Sequence, residues 1–289
     1  TIRAAADLRV PLLAVTLAHR RGYFRQSIDP AGTQLEAPDD WQPERVLEPL
    51  EPIIEVSIEG RPVQVRAWRS LVEGIAGGRV PVLFLDTDLP ANQAEDRALT
   101  DHLYGGDDRY RLCQEAILGI GGVRMLDALG CEGLKVFHLN EGHSALLTLA
   151  LLERESETDL ADARERVRQH CVFTTHTPVP AGHDHFSEGL VRRVLGDAAA
   201  DRLGAHGCLE DGELNLTHLA LVFSRFVNGV AMRHGQVTRG LFPKYPINSI
   251  TNGVHPATWT SPPFQALFDR HMPEWRLDGL NLRHAAMIG

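Results

Sequence analysis

Four short polar segments hold residue types that can do chemistry. They are Asp86-Thr87-Asp88, Asn140-Glu141-Gly142-His143, the run from Thr175 to Asp184, and Asn252-Gly253-Val254-His255. Imidazole, amide and carboxylate groups together donate and accept hydrogen bonds, as the hydroxyls of a polyol require. His138, His143, His176, His183 and His185 also raise a metal centre, but no HExxH or comparable spacing links them, so none is expected. Capping or hydrogen-bonded loop histidines are the plainer alternative. Asp107 and Asp108 invite a glycosidase reading. Adjacent acids point in different directions, however, and a glycosidase needs two carboxyls facing each other across a sugar. An N-cap followed by an acidic first turn fits the pair equally well. Gly105-Gly106 and Gly119–Gly122 follow no strand in a GxGxxG or Walker arrangement, and no GxSxG occurs.

These segments need elements to hold them. Val10–Leu17, Val80–Leu85, Leu134–Leu139 and Cys171–Thr174 are apolar runs expected as buried strands, and Asn248–Thr251 as a short last one. Ile53–Glu59 and Val63–Arg69 alternate in polarity across Gly60-Arg61 and predict a β-hairpin. Apolar residues at 112, 116, 117, 120, 123, 126 and 129 predict one helix over Arg109–Leu129, stopped by Gly130. Its three internal glycines make sense if another backbone packs closely there. Ala145–Glu153, Ala161–Gln169, Asp184–Leu195 and Leu216–Met232 read as helices, and Gly22–Gln42 as loop. Strands alternating with helices predict an α/β class with a mainly parallel sheet, as one domain without a linker. The four polar segments then follow four strands, where open α/β sheets bind ligands.

The 289 residues carry 29 basic and 38 acidic side chains, a net charge of −9. No basic run exists to attract nucleic acid or anionic lipid. The longest apolar run is far short of the about 20 residues a spanning helix needs. Cys113, Cys131, Cys171 and Cys208 fit no CxxC or disulfide framework and predict buried free thiols. The chain opens at Thr1 with neither a starting Met nor a signal peptide, so a fragment is expected.

Several blocks, in order, resemble one family. They are Gly22-Tyr23-Phe24-Arg25-Gln26, Phe84-Leu85-Asp86-Thr87-Asp88, Leu103-Tyr104-Gly105-Gly106-Asp107, Arg111-Leu112-Cys113-Gln114-Glu115 and His138-Leu139-Asn140-Glu141-Gly142-His143. The run from Phe173 to Asp184 is the most specific, and Asn228-Gly229-Val230, His234-Gly235 and Ile250–His255 continue the series. Together they resemble the bacterial type of α-glucan (glycogen/maltodextrin) phosphorylase over nearly the whole chain.

That resemblance implies a Rossmann-like, mainly parallel sheet with helices on both faces, the N-terminal domain of a B-type glycosyltransferase, with the β-hairpin as an excursion. Residues 1–289 would be the glucan-binding domain, truncated at its N-terminus, with the C-terminal cofactor domain absent. The implied enzyme is cytoplasmic, allosteric and homo-oligomeric. It transfers the terminal glucosyl unit of an α-1,4-glucan or maltodextrin to phosphate, giving glucose 1-phosphate. It uses the phosphate group of pyridoxal phosphate, held on a lysine that neither Lys135 nor Lys244 matches. His176 would be catalytic, its backbone carbonyl facing the oxocarbenium-like charge. Asp107 and Asp108 would lie on a gating loop, shorter here than in animal enzymes. Arg111, Asn140, Glu141 and His143 would complete the substrate-binding set. The family's upstream Gly-rich substrate loop is missing. Two alternatives stand beside this: a non-catalytic glucan-binding module, and a glycogen or starch synthase domain using a nucleotide sugar, against which the Thr175–Asp184 run argues.

Overall fold

The computed structural model describes residues 1–21, 23–39, 41–103, 105–155, 159–179 and 182–288. Gly22, Tyr104, Pro180 and Ala181, each part of a block quoted above, lie outside them. Among the described residues, thirteen strands follow in chain order. They are β1 (Ala14–Leu17), β2 (Phe24–Ile28), β3 (Gln34–Pro38), β4 (Glu48–Ile58), β5 (Arg61–Glu73), β6 (Arg79–Asp86), β7 (Phe137–Asn140), β8 (Cys171–Thr175), β9 (His185–Ser187), β10 (Leu209–Glu210), β11 (Glu213–Asn215), β12 (Phe226–Gly229) and β13 (Asn248–Ser249).

The expected parallel sheet is present as four strands in the order β13-β12-β8-β7. Its register puts Asn140 beside Thr174, and Gly229 beside both Thr175 and Ser249. All four strands therefore end level, at one carboxyl edge. Helices Leu147–Glu153 and Leu160–His170 connect β7 to β8, the crossover that parallel neighbours require. A second four-stranded sheet has the order β1-β6-β5-β4. Its β4–β5 hairpin is the predicted one, turned at Glu59-Gly60, a residue earlier than expected. Both residues have positive φ (51° and 75°), as a two-residue hairpin turn favours.

Several local expectations change. Leu134–Leu139 yields a strand only over Phe137–Asn140, with Leu134 and Val136 exposed, and Asn248–Thr251 only over Asn248–Ser249. Val10–Leu17 yields a strand only over Ala14–Leu17, because it lies at the end of its sheet and Val10 is exposed. Gly22–Gln42 contains the antiparallel ribbon β2–β3, every residue of which is exposed, so no burial pattern marks it in the sequence. The helix predicted over Asp184–Leu195 begins at Glu188, after β9. The helix predicted over Leu216–Met232 stops at Val222, and β12 follows within the same apolar run.

The helix after Asp107 extends as expected. It runs Asp108–Ala116, passes through a π turn at Ile117–Gly121 and continues as Gly122–Ala128. Gly119 permits the close packing its sequence implies: a Cβ there would stand 2.5 Å from the Leu147 amide nitrogen.

The chain divides into two compact units, Thr1–Ala14 with Arg69–Leu83 and Asn252–Gly289, and Val15–Trp68 with Phe84–Thr251. The second holds the main core, including Leu112, Ile117, Leu139, Phe173, Leu219 and Phe223. In the first, Ala5, Ala6 and Val80 pack together, and Asp7 pairs with His255 at 2.7 Å. Trp275 is buried there, with its indole N–H donating to Asp269. Among the described residues, no helix is long and apolar enough to cross a membrane.

Candidate functional site

Asn140 closes β7 and His176 follows β8 directly, so the parallel register sets them side by side. His176 Nε2 lies 2.9 Å from Asn140 Oδ1. An amide oxygen only accepts, so Nε2 carries the proton and Nδ1 remains an acceptor. Both side chains are exposed at the edge of the sheet.

Glu141 leaves β7 with φ 70° and ψ 173°. Non-glycine residues rarely adopt such a backbone, at a cost of about 1–3 kcal/mol. Its N–H donates to the Thr174 carbonyl at 2.9 Å. Its carboxylate accepts from the His176 N–H at 2.6 Å, the Thr177 hydroxyl at 3.0 Å, and the Thr175 hydroxyl and Gly142 N–H at 3.3 Å each. Behind this edge a chain of bonds crosses the sheet. His138 Nε2 donates to Thr174 Oγ1 at 2.8 Å, and that hydroxyl donates to Asn228 Oδ1 at 3.1 Å. Burial and the neighbouring His176 lower the His138 pKa, which keeps its ring neutral.

A second group lies at Asp184, where the loop after β8 ends. Arg111 is ion-paired with Asp184. His143 Nδ1 lies 3.3 Å from Asp184 and 3.4 Å from Glu115. Hydrogen bonds to Asp184 and Glu115 raise the His143 pKa to about 10, against its partial burial. Burial pushes Glu115 up to about 8. Burial also opposes the charge of Asp184, but His143 and Arg111 outweigh it and hold that pKa down. Burial thus favours the neutral acid at Glu115, whereas its partners favour the charged form of Asp184. Ligand atoms of Glu115, His143 and Asp184 lie within 4.8 Å of one another, so these three could hold a metal ion. Arg111 and the imidazolium already supply the positive charge that Asp184 calls for.

Arg111, Glu115, His138, Asn140, His143 and Ser144 share the wall of a cavity of about 260 Å³ with Leu17 and Leu118. The predicted residues Arg111, Asn140 and His143 are thus brought together, and His176 and Glu141 join them through hydrogen bonds. Asp107 and Asp108 are not. They are exposed and line a separate hollow with Arg109 and Arg193, and Asp107 caps its helix by accepting from the Tyr110 N–H at 2.9 Å. Asp86 does not join the edge of the parallel sheet. It is buried on the other sheet between Arg20, at 2.7 Å, and the Trp68 indole, at 2.8 Å. Glu115 and Asp184 were not singled out from sequence. An acid on the apolar stripe of the helix, between Leu112 and Ala116, was the available signal for Glu115.

No protein-family model matches the chain. It is similar to glycogen phosphorylase of Mycobacterium tuberculosis, with 38% identity over 90% of this chain and 34% of that protein. Maltodextrin phosphorylase of Thermococcus litoralis is 37% identical over 96% of this chain and 36% of its own length. Glycogen phosphorylase of Aquifex aeolicus is 28% identical over 94% and 42%. The resemblance read from the sequence is borne out. The chain spans about a third of the length of the first two relatives.

Proposed function

We propose that this chain, similar over most of its length to about a third of glycogen and maltodextrin phosphorylases, is the glucan-facing part of an α-glucan phosphorylase. The whole enzyme would move the terminal glucosyl unit of an α-1,4-glucan to phosphate and release glucose 1-phosphate. The parallel sheet, with its polar residues at one carboxyl edge, supports a B-type glycosyltransferase architecture.

The Asn140–His176 pair carries the proposal. It engages Nε2 and leaves Nδ1 facing away from Asn140, where a sugar hydroxyl can meet it. His176 also lies in a turn anchored by Glu141, so its backbone carbonyl is a dipole held in place before reaction. A fixed dipole stabilises developing positive charge without reorganising. Arg111 and His143 hold the far end of the loop through Asp184. Asp107 is engaged as a cap, which leaves Asp108 as the acid of that turn available to a ligand.

Phosphorylases of this kind use the phosphate group of pyridoxal phosphate to exchange a proton with the substrate phosphate. The lysines present do not fit that cofactor. Lys135 is exposed, and Lys244 borders a hollow walled by Glu210, Asp211 and Glu213, whose charges oppose a phosphate. No step is assigned to either lysine, and the cofactor would be held by residues outside this chain.

Titration of the chain with a maltodextrin, a nucleotide sugar and glucose 1-phosphate tests the proposal. Maltodextrin should bind at about millimolar strength, because an open site exchanges water contacts for sugar contacts with little net gain. His176→Ala should abolish that binding. A preference for the nucleotide sugar would favour the synthase alternative, and binding unchanged by His176→Ala would remove this site from the function.

A further inference from the structure

Two consecutive residues address His176 from the neighbouring strand. Asn140 meets its ring at Nε2, and Glu141 meets its backbone N–H at 2.6 Å. In a regular strand, consecutive side chains point to opposite faces. The left-handed turn of the backbone at Glu141, φ 70°, lets both reach the same partner.

The carboxylate of Glu141 is fully engaged inside the protein. Oε1 accepts from the Gly142 N–H and the Thr175 hydroxyl, and Oε2 from the His176 N–H and the Thr177 hydroxyl. An ionised carboxylate has about four acceptor positions, so none remains for a sugar hydroxyl. Three of the four donors belong to the consecutive residues 175, 176 and 177. The side chain therefore staples the turn that leaves β8.

The surroundings enforce this arrangement. The Glu141 N–H is held by the Thr174 carbonyl at 2.9 Å. A Cβ on Gly142 would stand 3.3 Å from both the Leu216 Cβ and the Thr217 nitrogen, so the chain passes close to the helix behind it. An unusual backbone persists where neighbours over-determine it in this way. The far end of the same loop is anchored separately, by Asp184 on Arg111 and His143.

We infer that Glu141 is a positioning residue that sets the place of His176, and that it makes no contact with the glucan. This deepens the proposed function, because it rests on His176 being the residue that faces the sugar. A glutamine cannot do the same work. Its single amide oxygen accepts, while its NH₂ would face hydrogen-bond donors.

Nuclear magnetic resonance of the isotopically labelled chain is the test, with maltodextrin as the ligand. In Glu141→Gln the His176 amide and imidazole signals should shift, with those of Thr175 and Thr177, while signals from the core strands stay in place. Maltodextrin affinity should fall about tenfold, the scale of one lost charge-assisted bond. Glu141→Gly is the second variant, because glycine adopts this backbone freely; it should show the same shifts and the same loss. His176 signals that ignore both substitutions would overturn the inference. If the unmodified chain binds no maltodextrin, the proposed function fails on its own, since the His176 signals still report on Glu141.

Discussion

Asn140 Oδ1, at the end of β7, lies 2.9 Å from Nε2 of His176, the residue that follows the adjacent parallel strand β8. The bond selects one imidazole tautomer and leaves Nδ1 as the acceptor. Asn140→Ala removes that selection, and Asn140→Asp keeps an acceptor oxygen in place. The alanine variant should bind maltodextrin about five- to tenfold more weakly, about 1 kcal/mol, the scale of one neutral hydrogen bond. Its unfolding midpoint should barely move, because both side chains are exposed. The aspartate variant should retain most of the affinity. Calorimetric titration and urea denaturation of the three proteins check this.

Strand β8 was legible because it is mostly buried and apolar between polar segments, as Phe173 shows; in β7 only Leu139 is buried, and the sequence placed its start three residues early. The β2–β3 ribbon was not legible: Phe24, Ile28 and Leu35 are apolar yet exposed, so their pattern records no inside and outside. Strand β12 was hidden for the opposite reason. It shares one apolar run with the helix before it, and the break at Phe223–Arg225 has neither Gly nor Pro to mark it. Single residues of the site, such as His176 and Asn140, could be chosen from their motif. Their partnerships could not, because Glu115 and Asp184 lie 69 positions apart in the chain and meet only through the fold.

The cysteines give a prediction of reactivity. Only a thiolate attacks a disulfide reagent readily. Burial pushes Cys171 and Cys208 up to about 12 and Cys113 to about 11, and all three side chains are enclosed. Cys131 is only partly buried. The folded chain should therefore release one equivalent of chromophore from an aromatic disulfide reagent, at Cys131, and four equivalents in denaturant. Mass spectrometry of the labelled peptides identifies the site.

Glycines in and after the same long helix should differ sharply in what they tolerate. A Cβ on Gly119 would meet the Leu147 nitrogen at 2.5 Å and the Leu146 carbonyl carbon at 2.8 Å, both backbone atoms that cannot rotate away. Gly119→Ala should cost about 3 kcal/mol, at the upper end for overpacking, and should separate the π turn from the helix Leu147–Glu153. Gly130 has open space around it but a φ of 71°. Gly130→Ala should cost about 1 kcal/mol, the backbone penalty alone. Urea unfolding of both variants should give that order, and equal losses would deny the close approach at Gly119.

The Glu115–His143–Asp184 group predicts how stability depends on pH. Burial raises Glu115 from an ordinary carboxylate value to about 8, so between roughly pH 4.5 and 8 the folded chain holds a proton that the unfolded chain releases. His143, raised to about 10 by its two acids, does the same between roughly pH 6.5 and 10. In each window the folded state binds more protons, so stability falls as pH rises. Both contributions are fully present below the unfolded-state values and are lost by the time pH passes the folded ones. Asp184 acts in the opposite direction, because its pKa is held down; its contribution is lost only as pH falls through the acid range. The urea midpoint should therefore decline steadily from about pH 5 to pH 9. Glu115→Gln keeps the size of the side chain and removes its titration, so the decline between roughly pH 4.5 and 6.5 should flatten while the His143 part persists above it. Parallel profiles for the two proteins would place the titrating group elsewhere in the chain.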